Sequence, residues 1–107
     1  MLPLVRQIAG EYKASLQKLY GNELAELILF GSYARGDYHE ESDIDFAVVL
    51  RDPHSRAAAK KDKTSVIDSR LSLKYGVMLS SLHTTLQKKQ SSMQGVYQEI
   101  RKEGIII

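Results

Sequence analysis

The chain contains no cysteine, and its formal net charge over 107 residues is only +2. Without cysteine there are no disulfides, no thiolate nucleophile and no cysteine-based zinc site, which suits a reducing compartment. So small a charge is no argument for nucleic acid, and no basic stripe with interleaved aromatics accompanies it. No apolar run approaches the roughly 18 residues that a membrane span needs. The opening MLPLVRQIAGEYK lacks the basic segment and continuous apolar stretch of a signal peptide. Repeats, low-complexity segments and linkers are also missing. His39, His54 and His83 share no metal-ligand spacing and suggest no Ser-His-Asp set. The expectation is a soluble, cytoplasmic protein made of one domain, residues 1–107. Its 43% hydrophobic and 26% charged residues are ordinary for such a domain.

Apolar periodicity supplies the outline. Leu4, Val5, Ile8, Tyr12, Leu16, Leu19 and Tyr20 recur at helical spacing over residues 3–20, with Pro3 in the first turn and Gly21-Asn22 as a stop. LAELILF (24–30) and DIDFAVVL (43–50) are short apolar runs bounded by turn residues and read as strands. Residues 53–75 turn helical, with Ala57, Ala58, Val66, Ile67, Leu71 and Leu73 as the apolar face and KKDK (60–63) solvated. VMLSSLHTT (77–85) reads as a third strand, and residues 91–103 as a last helix before an Ile-Ile-Ile tail. The expected fold class is α/β (α+β), a small mixed sheet covered by helices.

Two carboxylates stand where the second strand should be gathering apolar residues. On a strand, Asp43 and Asp45 point to the same face about 6.6 Å apart, while Ile44 and Phe46 enter the opposite layer. Parallel carboxylates repel unless a cation bridges them. Oxygen ligands of this kind suit Mg²⁺, which is held by one or two carboxylates plus phosphates and water. At the end of the preceding strand, Gly31 allows close approach of a ligand to the backbone, and Ser32 is placed to cap a short helix whose free amides bind phosphate. A phosphate cradle facing a metal site is what phosphoryl chemistry needs.

Gly31-Ser32, ten intervening residues and then Asp43-x-Asp45, with Arg35-Gly36 between, resemble the nucleotidyltransferase signature of the DNA polymerase beta superfamily. More narrowly, the stretch is similar to minimal nucleotidyltransferase (MNT) proteins, which pair with helical HEPN partners in toxin–antitoxin systems. The resemblance implies that Gly31 and Ser32 hold the phosphates of a nucleoside triphosphate and that Arg35 assists there. It implies that Asp43 and Asp45 are the catalytic carboxylates and bind Mg²⁺. The implied reaction transfers a nucleoside monophosphate, AMP from ATP, to a hydroxyl on a HEPN-type partner protein. With no room for an acceptor domain, the acceptor site comes from that partner, from a homo-oligomer mate or from the acceptor itself. The resemblance also implies a third carboxylate on a later strand. None stands in VMLSSLHTT, and the remaining acids are Asp52, Asp62, Asp68, Glu99 and Glu103, the last two expected on the wet side of the final helix. Loss of a general base removes about 10²–10⁴-fold in rate. The alternative is therefore a weak or inactive MNT domain that neutralises its partner by occlusion.

Overall fold

A computed structural model describes residues 1–52 and 60–107. The expected start of the third helix, with His54, Ala57 and Ala58, falls on residues 53–59 and lies outside the described residues. The elements are α1 (Pro3–Tyr20), a 3-10 turn (Gly21–Glu23), β1 (Leu24–Phe30), α2 (Ser32–Arg35), β2 (Ile44–Leu50), α3 (Lys61–Tyr75), β3 (Leu79–Thr85), α4 (Leu86–Ser91), α5 (Gly95–Glu103) and β4 (Ile105–Ile106). The strands form one mixed sheet in the order β3-β2-β1-β4. β1 runs antiparallel to β2 and β4, whereas β2 and β3 are parallel.

Each face of the sheet is covered. Ile44, Phe46, Val48 and Leu50 of β2 join Leu24, Leu27 and Leu29 of β1 beneath α1 and α3. LAELILF does not alternate strictly; an irregularity in pairing between Leu24 and Glu26 brings Leu24 onto the same layer as Leu27 and Leu29. α1 covers this layer with Val5, Ile8, Tyr12, Leu16 and Tyr20, and the Tyr12 ring packs 5.1 Å from Phe46, centroid to centroid. Leu4 is exposed, although it shares the helical spacing. The second layer is smaller: Tyr97 and Ile100 of α5 pack on Ile28, Ala47 and Val49.

Three expectations are corrected. The final helix begins at Gly95 and not at residue 91, and a separate helix precedes it, because the Thr85 side chain accepts from the Lys88 amide (3.2 Å) and starts α4 directly at the end of β3. The isoleucine tail is a strand, pairing Ile105 with Leu29 and Ile106 with Ile28. On α3 the buried face is Thr64 and Leu71, while Val66 and Leu73 are exposed. Thr64 is accepted inside because its hydroxyl bonds Tyr20 Oη at 2.8 Å. Among the described residues no helix is long and apolar enough to cross a membrane.

Candidate functional site

The antiparallel ladder pairs Phe30, the last residue of β1, with Asp45, so the turn after β1 lands beside the second aspartate. Gly31 makes that turn at φ +76°. A Cβ there would collide with Asp45 Oδ2 and lie 3.2 Å from Asp45 Cγ. Glycine is therefore required twice, for its backbone angle and because a carboxylate occupies the space of its side chain. The amides of Ala34 and Arg35 both donate to the Gly31 carbonyl at 3.1 Å, closing the single turn of α2. Gly31, not Ser32, occupies the cap position; Ser32 is the first helical residue.

Asp43 is exposed just ahead of β2, and Asp45 is half-buried on the α5 face of the sheet, the side of Ala47 and Val49. Burial is the main cause that pushes the Asp45 carboxyl above its ordinary range. The negative charges of Asp43 and Glu99 add to this, and Arg35 offsets it. A carboxylate made costly by its like-charged neighbours is a good fit for a divalent cation. Among the described residues no group of three or more His, Asp or Glu converges as a metal cluster. The Asp43–Asp45 pair would supply the one or two carboxylates that Mg²⁺ uses together with phosphates and water.

Arg35 stands between the turn and α5. Its Nε donates to Asp37 (3.2 Å), its Nη1 donates to Glu99 Oε1, and Glu103 Oε2 lies 3.5 Å from the same nitrogen. Glu99 and Glu103 thus leave the wet side expected for them and sit half-buried around the guanidinium. Their separation of four along α5 puts them on one face. The partner 64 positions away had no sequence signal.

On β3 the residue paired with Asp45 is Ser80, which is exposed, so no acid stands there. His83 pairs with Val48 and lies near Lys61 and Asp68 of α3, away from the aspartates. Tyr33 of α2 and Tyr38 of the loop that follows stack on each other at 4.7 Å and 4°. Ser42 Oγ accepts from the His39 amide at 2.9 Å and ties the approach to Asp43, while His39 Nδ1 accepts from the Glu41 amide.

A mixed sheet between helices, with a Gly-Ser turn packed against an Asp-x-Asp strand start, defines a nucleotidyltransferase-type protein. Residues 10–107 match the nucleotidyltransferase domain family, and the chain belongs to that family. Two candidate protein adenylyltransferases of Methanocaldococcus jannaschii are similar to it. One is 40% identical over 76 residues, covering 71% of this chain and 75% of the relative. The other is 42% identical over 74 residues, covering 67% and 65%. Its fold is also similar to that of a toxin–antitoxin crystallised with AMP-PNP (TM-score 0.59, 22% identity, 90% of this chain and 69% of that one). A candidate minimal nucleotidyltransferase shares the fold over nearly its whole length (TM-score 0.59, 18% identity, 95% and 94%).

Proposed function

We propose that the chain is a Mg²⁺-dependent nucleotidyltransferase that moves AMP from ATP onto a hydroxyl of a HEPN-type partner protein, acting as the antitoxin of a pair. The observation that carries this is the packing of the Asp45 carboxylate against Gly31, which supports reading the turn and the aspartates as one site. Relatives named as protein adenylyltransferases support a protein acceptor and an adenylyl group. A similarly folded toxin–antitoxin crystallised with AMP-PNP supports ATP and a partner chain.

In this reading the Gly31-Ser32 turn and Arg35 hold the triphosphate, and Asp43 and Asp45 hold Mg²⁺. The ion, when bound, neutralises charge on the phosphates. The acceptor hydroxyl oxygen forms a bond to the α-phosphorus and releases its proton to solvent, the bond to the β-phosphate oxygen breaks, and pyrophosphate leaves. Arg35 reaches the phosphates by exchanging carboxylate contacts for phosphate ones, a trade between similar charge-assisted bonds. A second reading, neutralisation by occlusion, is favoured by one feature: Ser80 stands beside Asp45 where a base would be useful.

The test is label transfer from α-³²P-ATP with Mg²⁺ to a HEPN-type protein encoded alongside the chain. The expected outcome is labelled partner with the native chain and none with Asp43→Asn plus Asp45→Asn. Transfer undiminished in that variant would overturn the assignment. A tight complex with no label in either case selects occlusion.

A further inference from the structure

The far end of the parallel pair holds a second, differently built recess. Leu50 and Thr85 are register partners at the carboxyl ends of β2 and β3, and crevices at such ends are common ligand sites in α/β sheets. Here a cavity of about 140 Å³ is lined by Leu50, Asp52, Lys61, His83, Thr84 and Thr85, with Lys88 completing the wall. Leu50 lies five steps along the strand from Asp45, about 17 Å at an extended rise, so this recess is separate from the aspartates.

Its chemistry is that of an anion site. The ammonium groups of Lys61 and Lys88 make no ion pair with a described residue. Among the described residues Asp52 is the single acid on the wall, so two described cations face one carboxylate. His83 Nε2 is buried and has no hydrogen-bond partner among the described residues. Such an atom normally finds one. Lys61 also opens α3, whose cap residue Lys60 provides no side-chain cap, so the positive end of that helix borders the cavity. With about 30 Å³ per water as the yardstick, the volume holds roughly four or five water-sized groups, which suits a tetrahedral oxyanion and is too small for a nucleoside.

We propose that Lys61, Lys88 and His83 form a second site, which binds a phosphate group, either free phosphate or the phosphate of a small monoester whose remainder projects into solvent. The site goes beyond the proposed transfer reaction and does not depend on it.

Isothermal titration of the full chain with inorganic phosphate, and separately with AMP, tests the proposal, with His83 ring resonances followed by NMR. Saturable one-to-one binding of phosphate is expected, with a shift of the His83 resonances. Lys61→Gln plus Lys88→Gln is expected to weaken it at least tenfold. Both lysines are exposed, and circular dichroism verifies the fold; Lys88→Gln alone is the milder variant, expected to weaken binding severalfold. Asp43→Asn plus Asp45→Asn is expected to leave it unchanged. AMP binding that is equally lysine-dependent identifies a monoester as the source, and phosphate binding without AMP binding identifies the free ion. Absence of saturable binding by either probe, binding indifferent to the lysines, or binding lost only with the aspartates would overturn the proposal.

Discussion

At Gly31 the left-handed backbone and the nearby Asp45 carboxylate make separate demands, and Gly36 separates them experimentally. Gly36 also has a positive φ, +91°, but nothing lies within 4 Å of the place its Cβ would take. Gly36→Ala should therefore cost about 1–3 kcal/mol of stability from backbone strain and little else. Gly31→Ala should cost at least as much and also displace Asp45, lowering Mg-ATP affinity about tenfold or more. Denaturant unfolding and nucleotide titration of the two variants check this; equal ATP affinities would show that the carboxylate contact is unimportant. The sequence pointed to Gly31 as a place of close approach and to Asp43 and Asp45 as a same-face pair. It did not show that Gly31 and Asp45 touch, because that contact follows from the Phe30–Asp45 register. Arg35 was legible as a site residue only by resemblance. Its commitment to Glu99 and Glu103 depends on how α5 lies across the sheet, which no local pattern encodes.

At the scale of elements, the readings that held were those in which burial follows the local period. α1 buries one stripe over 18 residues, and β2 alternates its side chains between two covered faces. α3 misled because its apolar residues do not share one face: Leu71 is fully buried while Leu73 is 86% exposed. Leu71→Ala should cost about 2–5 kcal/mol, as core truncations do. Leu73→Ala should fall within about 0.5 kcal/mol of the native chain. Thermal or urea unfolding distinguishes them, and similar losses would mean that the Leu73 face is covered in solution. α4 and β4 escaped notice because they are six and two residues long, too short for periodicity to register. Their determinants are a single threonine cap and a pairing partner about 77 residues earlier in the chain.

Taken as a whole, the molecule is an unequal sandwich. The α1–α3 layer contributes most of the buried apolar side chains, whereas the α5 layer rests on Tyr97 and Ile100, with Tyr97 Oη bonded to Thr84 Oγ1 at 2.7 Å. Opening free energies follow buried contact, so native-state hydrogen exchange should show α4 and α5 exchanging before α1, β1 and β2. Uniform protection across both layers would contradict this ranking.

The Phe30–Asp45 pairing has a further consequence for the segment between the two halves of the site. Residues 36–42 join a turn and a strand start that the ladder already holds together, so the spacing across the site is set by the sheet and not by the length of that connection. Doubling such a loop adds only about 0.6 kcal/mol of closure entropy. The stretch from Gly36 to Ser42 is therefore open to lengthening or exchange while the Gly31 turn and Asp45 keep their places.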